Sequence, residues 1–460
     1  MTGIAAAASP YEQSVVDAAE SVQREIVDDV LALVGQQAAV VAAAPAGAGK
    51  SHFVVNTVAR LRRDDLRVAV VAPTNEQVHS LVERITDLHP GLPVAFVPAK
   101  DRELPPGIAG RPGVSQPKAS DARDQREPLV AATIDKLADA HLRDGLGDFD
   151  VLIIDEAYQA DAARYYTAAS VAPTHLLVGD SGQLDPFSTL DDATIWRGGA
   201  EDPLQTAVGV LLRNHPNTPL HRLPITRRLD PRSVPVARSF YPGHQFASAI
   251  RAGVRRMRLD RPGPGTRRFA TIDAALNEAA RAGWAHVTLP GTPVIVADPA
   301  TAELIVNLVV RLLARNARAM CEARSAEQPL HQADVAVGVS HNDQKDLLRA
   351  RLDAAGLTGV VVDTANRLQG LTFEVVVAWH PLAGAAVTDA FHLDPGRLCV
   401  LLTRHRQACI VIGRDSDQEL LDRVPPATPG FLGWDPDPVL DGWDAHERVF
   451  ALLEPHRIAA

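Results

Sequence analysis

Short apolar runs alternate with longer stretches of helical spacing along most of the chain. The runs are AAVVAA, VAVVAP, VLIIDE, LLVGD, PVIVAD, VAVGVS, VVVDT, VVVAW and CIVIG. Runs rich in Val and Ile, apolar on both faces and separated by helices, predict strands of parallel sheets covered on both sides. Between two of them, TAELIVNLVVRLLARNA puts Leu304, Ile305, Leu308 and Leu312 on one helical face. One ordinary sheet of about five or six strands cannot hold so many runs. The pattern therefore predicts two α/β domains, over residues 1–214 and 215–460. Three segments interrupt it. Residues 98–128, rich in Pro, Gly and charge, read as a loop or small insertion. Residues 242–291 read as an irregular basic insertion, and 415–460 as a poorly regular C-terminal cap.

Composition narrows the class. Hydrophobic residues make up 46% and charged residues 22% of the 460, an ordinary globular balance. The three cysteines, Cys321, Cys399 and Cys409, form no CxxC pair, which argues against a disulfide framework or a structural zinc site and suits a cytoplasmic protein. MTGIAAAASP lacks the basic start of a secretory signal, and no run of about 18 apolar residues predicts a membrane span. A net charge of −10 speaks against a generally basic nucleic-acid binder. The arginine-rich stretch AIRAGVRRMRLDRPGPGTRR is a local exception: it either tracks phosphates or forms a solvated surface.

The chemistry begins at AAVVAAAPAGAGKSHFV, which reads as strand, Gly-rich turn and helix. APAGAGKS matches the phosphate-binding spacing GxxxxGK[ST], with Ala44 in place of the first glycine. Gly47, Ala48 and Gly49 would turn backbone N–H groups onto phosphate oxygens at a helix start. Lys50 would reach the β- and γ-phosphates, and Ser51 would ligate Mg²⁺. In VLIIDEAYQA, a buried strand ends in Asp155 and Glu156. One carboxylate would meet Mg²⁺, and the next would orient attacking water. Two acids at the end of an apolar run are costly without a cation to meet them. Phosphoryl transfer also gains rate from arginines delivered to the developing charge. Arg404, in LLTRHRQACIVIG, and Arg228, in LPITRRLDP, are candidates, set at a cleft where ATP would draw two domains together.

The ordered set of motifs resembles the superfamily 1 helicases, from about Gln23 to Arg414. APAGAGKS resembles motif I, VVAPTNEQV motif Ia, AATIDKL the next strand-end motif, DEAYQ the DEAxQ form of motif II, and GDSGQLDPF motif III. TRRLDP with SFYPG, VGVSHNDQ, TANRLQGLTF and GRLCVLLTRHRQACIVIG resemble the later motifs in the same order. DEAxQ and RLxVxLTR point to the 5′→3′ branch (superfamily 1B) that includes the nonsense-mediated-decay helicase, and QGLT resembles its RecD-like groups. The resemblance implies two tandem RecA-like P-loop domains with an ATP cleft between them, and ATP and Mg²⁺ as cofactors.

It also implies roles by position. Gln23 would read adenine, and Gln183 would sense the γ-phosphate. Arg228 and Arg404 would be arginine fingers, with Gln369 and Gly370 bridging nucleotide and nucleic acid. Thr74, Thr133 and Thr364 would hold strand phosphates, unless they serve only as helix caps. Gln159 would couple the two sites. Arg227 stands where the family usually has tyrosine, and its planar guanidinium would stack on adenine. Thr372 replaces a glutamate that often follows QG, with Glu374 as a substitute for its ribose contact. With 5% aromatic residues, strand contact should rest on phosphates, and Phe187, Tyr241 and Trp379 are the candidate stackers. The expected partner is single-stranded nucleic acid, DNA before RNA, with protein partners possible and no membrane. A nucleotide-switched binding module with little unwinding is the alternative.

Overall fold

The computed structural model describes residues 10–98, 107–184, 186, 202, 204–261, 269–291, 295–424 and 438–460. Phe187, Arg267 and Arg268 lie outside them. The chain divides into two units. Gln13–Ser181 with Asp185–Ile225 forms the N-terminal unit, and Gly182–Leu184 with Thr226–Ala460 belongs to the C-terminal unit.

The N-terminal unit starts with α1 (Pro10–Leu33), β1 (Ala38–Ala43), α2 (Lys50–Arg63), β2 (Val68–Ala72), α3 (Asn75–Leu88) and β3 (Val94–Phe96). It continues through β4 (Val114–Ser115), α4 (Ala119–Asp124), β5 (Leu129–Thr133), α5 (Ile134–Asp144), β6 (Val151–Asp155) and α6 (Ala162–Ala168). It ends with β7 (Thr174–Gly179), α7 (Ala207–Asn214) and β8 (Leu220–Arg222). Its sheet has the order β4-β3-β5-β2-β6-β7-β1-β8, and every pairing is parallel. Alternate residues feed two cores. Val40, Ala42, Val70, Ile153 and Leu176 meet the buried faces of α2 and α3. Val41, Val71, Ile154 and Leu177 meet residues of α5, α6 and α7 on the other face. Helices on both faces explain why these strands read as unbroken apolar runs.

Among the described residues, the chain from Ile225 onward forms three sheets. The chain runs β9 (Ile225–Thr226), α8 (Val234–Arg238), β10 (Ala247–Ser248), β11 (Arg256–Arg258), α9 (Ala270–Ala282), β12 (Trp284–Leu289), α10 (Pro299–Ala314), β13 (Arg318–Met320) and β14 (Gln328–Pro329). Then come β15 (Val335–Val339), α11 (Asn342–Ala354), β16 (Val361–Thr364), α12 (Ala365–Leu368), β17 (Phe373–Trp379) and α13 (Pro395–Leu402). The last elements are β18 (His405–Arg414), α14 (Asp417–Asp422), α15 (Pro438–Leu453) and β19 (Arg457–Ala459). The main sheet, β16-β15-β17-β18-β12-β19, is parallel throughout. Val335, Val337, Val375, Val377, Ile410 and Ile412 pack with residues of α9, α10 and α11.

Several sequence expectations change. The division falls at Ile225, not at 214, because the short polar strand β8 pairs with β1. The 98–128 interruption contains edge strand β4 and helix α4. The expected irregular insertion over 242–291 ends in α9 and in β12, an interior strand flanked by β18 and β19. His286 and Thr288 masked β12 as a core strand, yet both are buried. Where it is described, the C-terminal cap contains α14, α15 and a strand, β19, beside β12, and its residues 425–437 lie outside the described ones. Within PVIVAD, residues 295–298 form a turn, with Ile295 and Val296 exposed at 42% and 40%. There Asp298 caps α10, accepting from the Ala300 and Thr301 amides.

The C-terminal unit also buries polar rings. His286, His380 and His446 surround Phe450, with His380 and His446 ring centroids 5.1 Å apart. Burial lowers the pKa of all three, to about 4 for His286 and about 3 for His446. Burial pushes nearby Asp417 the other way, up to about 7. The histidines therefore stabilise fully above their ordinary pKa near 6.5, and that stability is lost as pH falls towards 4. Asp417 has the opposite sign, but three groups outweigh one. The urea midpoint should fall between pH 6.5 and pH 4.5, and His446→Phe should make that fall shallower. An equal slope in the variant would contradict the buried, neutral assignment of His446.

Candidate nucleotide site

The phosphate-binding turn follows β1 and opens α2. Gly47 and Gly49 adopt φ of 76° and 91°, the left-handed region that side chains disfavour. Ala44 is buried and outside that region, and its N–H donates to the Gly179 carbonyl. Its backbone therefore needs no glycine, and the missing first glycine costs little. Ala48 is buried in the turn, Lys50 is the first residue of α2, and half-buried Ser51 follows.

β6 and β7 end beside this turn and bring three carboxylates to it. Lys50 Nζ lies 3.2 Å from Asp180 Oδ2 and 3.6 Å from Glu156 Oε1. Burial disfavours the ammonium, but Asp180, Glu156 and Asp155 outweigh burial and hold the Lys50 pKa above its ordinary value. Asp155 is 3% exposed and accepts the Glu156 N–H. Burial first, and then the Glu156 charge, raise its pKa, while Lys50 opposes them. Glu156 has φ of 56°, a strained backbone for a residue with a side chain. Gln159 Nε2 donates to Glu156 Oε2 at 3.1 Å, and Gln77 Nε2 donates to Gln159 Oε1 at 3.1 Å. Asp180 and Gln77 were missed by the motif reading. GDSGQLDPF did place an acid after the β7 run, which was a usable signal for Asp180.

Thr74 and Thr133 cap α3 and α5, accepting from the Gln77 and Lys136 amides. Thr74 remains exposed. Gln23 is half-buried on α1.

The remaining candidates belong to the C-terminal unit. Arg228 Nη1 donates to the Thr403 carbonyl at 3.3 Å, so the two candidate fingers are neighbours. Arg404 is 1% exposed, and its Nε donates to Val400 O at 3.3 Å. Its Nη2 is buried without a hydrogen-bond partner among the described residues. A buried, unfilled guanidinium donor is costly unless an acceptor arrives. Arg227 is exposed. Gln183 is buried, and its backbone lies so near Gly396 that an added Cβ would sit 2.7 Å from the Gln183 oxygen. Thr364 precedes α12 at the end of β16, Gln369 Nε2 is buried without a partner among the described residues, and Gly370 is left-handed at φ of 84°.

The neighbours of Arg404 have structural roles, and the expectations for Glu374, Tyr241 and Trp379 fail on geometry. His405 is fully buried, bonded to Ser233 Oγ, and held down to about 3 by burial and by Arg232, Arg255 and Arg228. It is neutral and gives no cationic help beside Arg404. Arg406 pairs with Glu374. Glu374 is 2% exposed at a bulge in β17, tied to Arg324, Arg406 and Gln407, and cannot serve as the ribose contact. Tyr241 and Trp379 are core residues, 3% and 0% exposed, and not stackers. Among the described residues the exposed aromatics include Tyr166, on α6, and Phe391, on a polar loop with the Arg397 guanidinium 3.7 Å from its ring centre.

Among the described arginines of the basic stretch, Arg255 is buried, whereas Arg251, Arg256, Arg258 and Arg261 are exposed. Arg255 is 2% exposed; it binds Glu322 and donates to the carbonyls of Arg227 and Arg228. Burial raises Glu322, but the Arg255 hydrogen bonds hold it below its ordinary value. Arg256 and Arg258 pair with Glu327 on the surface. Arg255→Met should therefore lower stability by about 2 kcal/mol, since half-exposed Glu322 can be rehydrated. It should also slow ATP turnover by loosening the Arg228 backbone. A urea midpoint equal to that of the parent would make Arg255 an ordinary surface residue.

Residues 18–179 match the family model described as the Type III restriction enzyme res subunit, and residues 295–416 match a model described as an AAA domain. Among curated proteins, no sequence matches the chain. The solved structures similar to it include the PRRSV helicase, at 14% identity and a TM-score of 0.40 over 86% of this chain and 54% of that one. Another is the arterivirus nonstructural protein 10 helicase in complex with DNA, at 13% and 0.43 over 87% and 65%. The chain thus spans less than two thirds of either length. Among the described residues, no helix is long and apolar enough to cross a membrane. The two family matches, one within each unit, fit a chain built as tandem RecA-like P-loop α/β domains.

Proposed function

We propose that this chain is a nucleic-acid-stimulated ATPase of the DEAxQ-type branch that moves 5′→3′ along single-stranded DNA or RNA. The observation that carries the reading is Lys50, at the start of a helix and between Asp180 and Glu156, behind a left-handed glycine turn. A helix N-terminus and a lysine favour polyphosphate. The carboxylates around them need a divalent cation once phosphates arrive, because like charges would otherwise repel. Ser51 and Asp155 supply the hard oxygen donors that suit Mg²⁺, together with phosphate oxygens and water. The cation would polarise the γ-phosphate. Glu156 takes the role of orienting and deprotonating water, and Lys50 neutralises charge on the transferred group.

Arg404 and Arg228 are the candidate fingers for the same phosphate, and Gln183 is its sensor. Gln23 and Arg227 serve the adenine, and Gly370 lies beside the nucleotide. Thr74, Thr133, Thr364 and Gln369 contact the strand, DNA being the first to test. This reading makes the phosphate-binding and strand-binding parts interdependent, as a motor requires.

The test is ATP turnover with and without single-stranded DNA or RNA. Stimulation of about tenfold or more, a barrier lowered by about 1.4 kcal/mol, supports the motor. Turnover that ignores both strands would favour the nucleotide-switched binding module. Lys50→Ala should abolish turnover. Glu156→Gln should retain ATP binding while hydrolysis falls by roughly a hundredfold or more. Full activity in either variant would remove the assigned chemistry.

A further inference from the structure

We propose that Gln77 is a positioning residue for the Glu156 carboxylate, acting through Gln159. The inference rests on the reading of Glu156 as the group that handles attacking water. It extends that reading to a residue outside the strand-end acids and the phosphate-binding turn.

The argument is the direction of a hydrogen-bond chain. A primary amide can face either way, since its oxygen and nitrogen differ little in shape, and its neighbours decide. The chain starts at the Thr74 backbone N–H, which can only donate; it donates to Gln77 Oε1 at 3.0 Å. The Gln77 oxygen is thereby fixed, and its Nε2 is turned toward Gln159 Oε1 at 3.1 Å. Gln159 must then present its own Nε2, which reaches Glu156 Oε2 at 3.1 Å. Glu156, which can only accept when ionised, ends the chain, with its other oxygen 3.6 Å from Lys50. An obligatory donor at one end and an obligatory acceptor at the other leave only one orientation for both amides.

Glu156 needs such a holder. Its backbone is in the left-handed region, and its side chain is 17% exposed, so packing alone does not fix it. Gln77 lies on α3, whose start is set by the Thr74 capping box. The carboxylate is therefore oriented from a helix that contributes no group to the phosphate-binding turn.

The polarity predicts an unusual ranking of variants. Gln77→Ala removes the holder but leaves Gln159 free to find Glu156. Gln77→Glu is nearly isosteric and can still accept from Thr74, yet its second oxygen also only accepts. Gln159 must then turn its Nε2 to residue 77 and its oxygen to Glu156, which repels the carboxylate. Gln77→Glu should lower kcat by on the order of tenfold to a hundredfold, as expected for a displaced catalytic group, with KM for ATP little changed. Gln77→Ala should lose less than Gln77→Glu. In a Gln159→Ala background the two variants at position 77 should become equal, because the connecting amide is gone.

The experiment is steady-state ATP hydrolysis by the full chain for the parent, Gln77→Ala, Gln77→Glu, Gln159→Ala and both double variants. Gln77→Glu worse than Gln77→Ala, with the gap erased by Gln159→Ala, establishes the chain. Equal kcat in the parent and Gln77→Glu, or a gap that survives Gln159→Ala, overturns it. A parent without ATP turnover would instead overturn the proposed function itself. Urea midpoints of both position-77 variants separate loss of orientation from loss of fold.

Discussion

Three carboxylates around one ammonium set the terms for the N-terminal unit. Asp155, Glu156 and Asp180 converge at the ends of adjacent parallel strands, where burial makes mutual repulsion costly. Lys50 offsets part of that cost, which is why its own charge is favoured despite burial. The arrangement makes sense as one half of a site whose other charges arrive with the ligand. A polyphosphate would compete for Lys50, and a divalent cation would accept the acids released from it. The left-handed turn of Gly47 and Gly49 and the start of α2 are the backbone side of the same arrangement.

The C-terminal unit answers a comparable problem with arginine. Arg404 is buried with a donor unfilled, whereas Arg255 is buried with its donors engaged. The difference separates two uses of one side chain. Arg255 is a strut whose carbonyl partners belong to Arg227 and Arg228, and Arg404 keeps hydrogen-bonding capacity in reserve. His405 stays neutral because full burial and the guanidinium groups of Arg232, Arg255 and Arg228 oppose its protonation.

Legibility in the sequence followed physical simplicity. Strands covered on both faces announce themselves as Val and Ile runs, so β1, β2, β6, β7, β15, β17 and β18 could be read directly. β12 could not, because His286 and Thr288 look like surface residues until their burial is known. Ile295 and Val296 misled for the opposite reason: apolar composition does not oblige residues to enter a sheet, and Asp298 follows them as a helix cap. The phosphate-binding turn was legible because its chemistry depends on local spacing. Asp180, Gln77 and Arg255 depend on contacts between residues distant along the chain: 130 positions separate Lys50 from Asp180, and 67 separate Arg255 from Glu322. Nor could an arginine-rich stretch disclose which of its arginines points inward.

The proposal that most needs testing is that Arg404 takes part in ATP turnover. Turnover of ATP by Arg404→Ala, at saturating ATP and single strand and in a preparation that melts like the parent, addresses it most directly. The account predicts a loss of roughly a thousandfold, in the range of an arginine finger. A rate within about threefold of the parent, a difference of less than 1 kcal/mol in barrier, would contradict it.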